Sequence, residues 1–300
     1  FKSGWGKDDF IFVLRTGPFV NHQHIDQGTF WLLDRGTTFI EERHGSTYYN
    51  DPLYQPWYTQ PVGHSTILID NNHQSQRVGD LLWHIDGFDD YAYVWQFLDG
   101  KSAVFVSGDI GRLYWGKVKS LKRNVLYLKP RTLLMLDTAV PADKDVDVTL
   151  LYQTLHLNDI KAASDCSSIS KGGNTLFVRH LSPSSIEAKA VETPHYLSTL
   201  RSSTPIEKEG MLTVSARTNG VPLVMANVLT TTTGAKPNIT AVEGTNCVSG
   251  SADGVSFMYS TRPGAVYTAN GVSTDAAAVT GDASNTFAAL STTFSRGSVL

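Results

Sequence analysis

Apolar and polar residues alternate with a period of two through most of this 300-residue chain. The pattern is clear in DFIFVLRTG, GTFWLLDRG, STILIDN, YAYVWQFLDG, KSAVFVSGD, NVLYLKP, TLLMLDTAV, VTLLYQT, NTLFVRHL, MLTVSART, VPLVMANV and VSFMYSTRPGAVYTA. Such alternation sets every second side chain on one face, as in half-buried β-strands. Gly, Pro, Asn or Asp bounds nearly every segment. Asp99-Gly100 predicts a type I′ hairpin, whose two central residues both need positive φ. Arg262-Pro263-Gly264 predicts a tight turn, with Pro setting φ and Gly supplying the left-handed position. Helical periodicity is weak, and its best candidate, SSIEAKAVETPHYL over 184–197, is limited by Pro194. The prediction is therefore an all-β protein built as a large antiparallel β-sandwich. The polar segment STLRSSTPIEKEG, 198–210, is the expected joint. It separates a β-sandwich domain over 1–205 from a continuing β layer or small β subdomain over 206–300.

Composition changes this picture little. Hydrophobic residues make up 41% and charged residues 18% of the chain, with 12 Tyr, 13 Phe and 6 Trp, which is the balance of a globular protein with an aromatic-rich surface or cleft. No run approaches the roughly 18 apolar residues that span a bilayer. The opening FKSGWGKDDF has neither an initiator Met nor a signal-peptide pattern, so a processed or excised portion of a longer protein is expected. Cys166 and Cys247 are too few for a disulfide framework and leave one bridge or two free thiols both open. The net charge of −3 hides a basic run over 116–131 with Lys117, Lys119, Lys122, Arg123, Lys129 and Arg131. That run reads as a solvated hairpin face, with contact to an anionic polymer as the rival reading. A mildly acidic chain with no recognisable binding module is not expected to take nucleic acid.

Chemistry concentrates early. Of nine histidines, His22, His24, His44, His64, His73 and His84 fall in an acidic stretch that also holds Glu41, Glu42, Tyr48, Tyr49, Tyr54 and Tyr58. On a strand, His22, His24 and Asp26 of NHQHIDQGTF would share one face. Two imidazoles on one face are costly to bury unless each has a partner. A lone His64 reads as a structural residue, and the tyrosines as cross-strand packing. Asp26 suits orienting a neighbouring histidine or a turn. The order of segments allows His24, Glu41 and His64 to converge as a two-His, one-carboxylate set suited to Zn²⁺ or a similar divalent ion.

The run NHQHIDQGTFWLLDRGTTFIEE, the Tyr-rich loop after it and WYTQPVGHSTILID resemble the β-sheet domain of the heparinase II/III-like polysaccharide lyases. The resemblance covers roughly residues 1–160. It implies cleavage of a uronate-containing polysaccharide by β-elimination, with an N-terminal helical toroid as the partner domain that completes the site. It also implies a periplasmic or secreted bacterial protein. Residue by residue, it makes His22 catalytic, His24, Glu41 and His64 the metal site of some members, and Tyr49 or Tyr54 a catalytic phenol. Trp57 and Tyr58, beside them, are the candidates for holding sugar. The chain departs from the pattern in having Glu41 where Asp is usual and Ser65 where Asn commonly follows the histidine.

Elimination removes the C5 proton of a uronate, next to a carboxylate whose charge makes that carbon a poor acid. The carboxylate must be neutralised, and a Tyr or His must take one proton and give another. Few cations accompany the histidines, which favours a weakly sulfated substrate such as alginate. Two rivals stand beside the lyase. A cupin-like metalloenzyme also begins His-x-His but needs a Glu three or four residues beyond the second His, where this chain has Gly28 and Thr29. A carbohydrate-binding β module with a structural metal would keep the site residues without turnover.

Overall fold

The computed structural model describes residues 1–17, 24–41, 52–76, 92–194, 208–281 and 286–296, and it is antiparallel β throughout. Its centre is an eight-stranded sheet in the order Ile160–Lys161, Cys166–Lys171, Asn174–Ser182, Leu223–Thr232, Thr132–Pro141, Val118–Leu128, Ala103–Asp109 and Tyr93–Asp99. Alternation sorts its side chains between two cores. Val104, Val106, Val125, Tyr127, Leu133 and Met135 face one, while Ala103, Phe105, Leu126, Leu128, Leu134 and Leu136 face the other. Burial on both faces explains why these strands read as nearly unbroken apolar runs rather than clean alternations.

On the first face lie two sheets. One is three-stranded (Ile11–Leu14, Phe30–Asp34, Thr37–Ile40). The other is four-stranded, in the order Glu187–Glu192, Gly210–Arg217, Asp147–Thr154, Ile67–Ile69. They contribute Phe12, Phe30, Leu32, Phe39, Leu150, Tyr152, Leu212 and Val214 to the shared core. On the second face a five-stranded sheet over residues 239–289 packs Val248, Phe257, Tyr259 and Ala278 against the centre. A three-stranded sheet beyond it closes a small core around Cys247, Met258, Tyr267 and Val272.

Three expectations change. The strands do not part near 205, because Gly210–Arg217 pairs with Asp147–Thr154 and Leu223–Thr232 pairs with Thr132–Pro141; the switch to the outer layer comes after Thr232. The best helical candidate, within 184–197, is instead the edge strand Glu187–Glu192, paired along its length with Gly210–Arg217. Helix propensity is a weak prior that sheet pairing overrides. Asp99-Gly100 does begin a hairpin, but Gly100 has no positive φ. Among the described residues, the two-residue hairpin turns with positive φ at both positions are Arg35-Gly36, Gly172-Gly173, Asp253-Gly254 and Asn270-Gly271. Arg262-Pro263-Gly264 turns as expected, with Gly264 at φ 78° and the Ala265 N–H donating to the Arg262 carbonyl at 3.0 Å. Cys166 and Cys247 are free thiols.

A polar chain crosses the buried centre of the large sheet. Ser167 Oγ lies 2.9 Å from His180 Nε2, and His180 Nδ1 lies 2.6 Å from Asn227 Oδ1. An amide oxygen only accepts, so Nδ1 carries the proton and Nε2 accepts from Ser167. The serine is wholly buried, so this arrangement bridges strands and reaches no substrate. Burial lowers the His180 pKa. In acid the unfolded chain takes up a proton that the folded chain refuses, so this stability is present above pH 6.5 and lost as pH falls. The unfolding midpoint is expected to drop between pH 7 and 5, and to drop less in His180→Gln, as followed by calorimetry.

Candidate functional site

The described part of the His-x-His-x-Asp motif, His24 to Asp26, is not on a strand. His24 to Thr29 form a turn that precedes Phe30–Asp34: the Thr29 N–H donates to the Asp26 carbonyl at 3.0 Å, and Gly28 takes φ 81°. A Cβ at Gly28 would also stand 3.0 Å from Ile110 Cδ1, so conformation and space both require glycine there. Strand alternation therefore does not set His24 and Asp26 on one face. Proximity comes from a second loop instead. Tyr54–Tyr58 makes one wide helical turn whose carbonyls anchor both histidine segments. Ile25 N–H donates to the Thr59 carbonyl at 2.8 Å, and His64 Nε2–H donates to the Tyr58 carbonyl at 2.9 Å. The rings of His24 and His64 consequently stand 5.1 Å apart, tilted by 52°.

Electrostatics keep both rings neutral. Burial lowers the His24 pKa, and the Arg15 guanidinium lowers it further. His64, wholly buried, is held well below the usual imidazole range by desolvation and then by His24, against the opposing hydrogen bond to Tyr58. That hydrogen bond protonates His64 at Nε2 and puts the lone pair at Nδ1. Asp26 does not orient either ring; its carboxylate pairs with Arg15. Burial nevertheless pushes the Asp26 carboxyl up to about 6, with Arg15 opposing.

The remaining candidates divide. Glu41 does not join the histidines: Lys171 Nζ lies 3.0 Å from its carboxylate. Among the described residues no three His, Cys, Asp or Glu side chains are close enough to share an ion. The residues thus fit a Zn²⁺-type ion in part, through two neutral imidazoles, one of them with its tautomer set by a carbonyl as in many metal sites. Tyr58 is buried, and its backbone carbonyl accepts from His64. Trp57 is half-buried and packs edge-on against His73 at 5.8 Å. Tyr54 is half-buried in the same turn. His22, Tyr49, and with them Tyr48, His44 and His84, lie outside the described residues. Beside the loop, Val62 and His73 border an open cleft of about 750 Å³ floored by the outward residues Thr149, Leu151, Met211 and Thr213 of the four-stranded sheet.

What holds the two loops together is a residue assigned above to a solvated face. Arg123 is 1% exposed. Its Nε and Nη2 bind both Asp137 oxygens at 2.7 and 3.2 Å, and its Nη1 donates to the carbonyls of Gly28 at 2.6 Å and Ser65 at 3.0 Å. The guanidinium lies 5.4 Å from the centre of the Phe30 ring. Gln76 ties the same loops again: its Oε1 accepts from Gln27 N–H at 3.0 Å, and its Nε2 lies 2.7 to 3.1 Å from the Gln27 carbonyl, Thr66 Oγ1 and Tyr114 OH. Gln153 donates to the Val62 carbonyl at 2.8 Å. The basic run is dispersed rather than one face: Lys117 pairs with Asp70, Lys129 with Asp99 and Arg131 with Asp34. Arg123 and Asp137 did carry a signal. Each is in phase with core residues, Arg123 with Leu121, Val125 and Tyr127, and Asp137 with Leu133, Met135 and Ala139.

The family described as "Heparinase II/III-like, C-terminal" matches residues 2–218. Among solved structures, the heparan sulfate lyase HepC of Pedobacter heparinus superposes with a TM-score of 0.69 at 18% identity, over 85% of this chain and 39% of that one. A heparinase III superposes with a TM-score of 0.66 at 13% identity, over 87% of this chain and 40% of that one. This chain thus spans about two fifths of the length of those lyases, and likeness at such identity speaks for the fold. No curated protein matches the chain.

Removing the Arg123 side chain would leave Asp137 charged and buried and two carbonyls unpaired. Arg123→Ala is expected to cost about 3–5 kcal/mol in denaturant unfolding. Arg123→Met combined with Asp137→Leu should recover most of that stability, because no lone charge remains, while the contact between the His24 and His64 rings is lost in its NMR spectra.

Proposed function

We propose that this chain, which belongs to the heparinase II/III-like, C-terminal family, supplies the β-sandwich half of a polysaccharide lyase that cleaves a uronate-bearing anionic polysaccharide by β-elimination. The observation that carries the reading is the contact of two neutral imidazoles, His24 and His64, at the loop end of a rigid sandwich. A neutral imidazole can take a proton or hold a cation at neutral pH, and an imidazolium can do neither.

In this reading the uronate is held against the loop end, with Trp57 offering an indole face beside it. His22, two residues before His24 in the same motif, faces the substrate carboxylate and helps to bear the charge that develops as the C5 proton leaves. A Tyr or His takes the C5 proton, and Tyr54, or Tyr49 in the segment before it, gives one to the glycosidic oxygen as its bond to C4 breaks and the C4–C5 double bond forms. His24 and His64 keep the local field free of a second positive charge and are the two protein ligands available to a Zn²⁺-type ion, which when bound would add positive charge near the carboxylate. An N-terminal helical toroid completes the cleft, and the whole protein works in the periplasm or outside the cell. The substrate is alginate-like or a glycosaminoglycan; the similar HepC structure is that of a heparan sulfate lyase.

Full-length protein mixed with alginate or heparan sulfate is expected to give rising absorbance near the ultraviolet edge from the unsaturated product. His22→Ala should abolish it with the unfolding midpoint unchanged. Binding without product in the unmodified protein would favour a non-catalytic carbohydrate module. For the ion, Zn²⁺ at a hundredfold excess over its dissociation constant is expected to stabilise the protein by about 2.7 kcal/mol. His24→Ala should remove that increment.

A further inference from the structure

The edge strand of the central sheet carries aromatic and cationic groups that the site above does not use. Among the described residues Tyr93–Asp99 pairs only with Ala103–Asp109, and it exposes Val94, Trp95 and Phe97. Trp95 is 55% exposed. Its ring meets Tyr93 edge-on at 6.1 Å and has Lys122 Nζ 5.0 Å from its centre. Arg112 sits 5.9 Å from the centre of the Tyr93 ring. The same arginine lines a shallow depression of about 450 Å³ with Trp115, which is 50% exposed, and Lys119. Cations and rings therefore alternate along one ridge: Lys122, Trp95, Tyr93, Arg112, then Trp115 and Lys119.

The ridge and the histidine pair are on different faces. Neighbouring strand residues point to opposite sides of a sheet. Arg123 reaches towards Gly28 and Ser65 on the side of the histidine loops, so Lys122, beside it, faces away. The row Tyr93, Asp109, Lys122 is set by strand register, which makes the ridge as firm as the sheet.

We infer that this ridge is a second contact for the anionic polysaccharide, taking a stretch of chain remote from the bond being cleaved; the inference rests on the lyase reading for its choice of polymer. An indole face takes the apolar C–H side of a pyranose ring, and lysine and arginine beside it take the carboxylates or sulfates. Among the described residues, Lys119 and Lys122 add cations to the ridge beside the carboxylate of Asp109, which accepts from the Gly111 N–H at 3.1 Å. An exposed apolar edge can instead recruit a second copy of the chain. A self-complementary contact would bring the same cations face to face across the two-fold axis, which disfavours it here.

The test is calorimetric binding by the full-length protein in a His22→Ala background, so that polymer is not consumed. The probes are heparan sulfate chains, polymeric alginate and neutral dextran. Expected results are binding of at least one polyanion and not of dextran, and affinity lower by roughly tenfold for Trp95→Ala. Lys119→Glu should weaken binding similarly, and added salt should weaken it in the parent protein. Both side chains are exposed, and an unchanged unfolding midpoint verifies the fold of each variant. Parent-like affinity in both variants overturns the proposal, and so does a change of oligomeric mass in Trp95→Ala without a change in affinity. The two readings fail separately. Product formation with Trp95-independent binding removes the ridge and keeps the lyase, whereas Trp95-dependent binding by a protein that forms no product keeps the ridge and removes the lyase.

Discussion

The buried guanidinium of Arg123 is the constraint on which the loop end of this molecule depends. Taking a charged pair out of water costs several kcal/mol per ion, and the cost is met only when geometry and additional hydrogen bonds are good. Here the forked pairing with Asp137 satisfies one side of the guanidinium, and the carbonyls of Gly28 and Ser65 satisfy the other. Those carbonyls belong to two segments that are 37 residues apart in the chain and meet nowhere in the sheet ladder. A charge that must be satisfied from both segments allows one arrangement of them. The same bonds set the separation of the His24 and His64 rings, because each ring lies within four residues of a bonded carbonyl.

The local field follows from this frame. Desolvation, rather than a pairing with carboxylate, dominates the shifts at both histidines and at Asp26. Arg15 is held at the rim by Asp26 and adds positive potential that discourages protonation of either imidazole. The result is a pair of uncharged imidazoles beside a cation. Glu41 stays out of this field through its pairing with Lys171, which also donates to the Thr38 carbonyl at 2.9 Å and so fastens the three-stranded sheet to the edge of the large one.

The layers divide the work. The eight-stranded sheet is packed on both faces and provides rigid register, the loops at one end carry the histidines, and the edge strand carries an aromatic and cationic ridge. The family match stops at residue 218, whereas Leu223–Thr232 lies inside the central sheet between Asn174–Ser182 and Thr132–Pro141. The cooperative unit is therefore longer than the recognisable family region.

The chain by itself determined the all-β class and most strand positions, because alternation and turn residues are local properties that neighbouring residues impose on one another. It also held the marks of Arg123 and Asp137, charged residues in phase with buried ones, although a charge run read alone suggested solvent. Tertiary structure decided the rest. Glu41 was drawn to Lys171, the segment around Glu187–Glu192 was claimed by a sheet edge, and Gly210–Arg217 joined strands begun before the expected boundary. The segment from His24 to Thr29 is a turn, and the Gly28 carbonyl within it accepts from the buried guanidinium. In each case the deciding partner lies far along the chain, and only the folded packing states which distant group will satisfy a buried charge or an open strand edge.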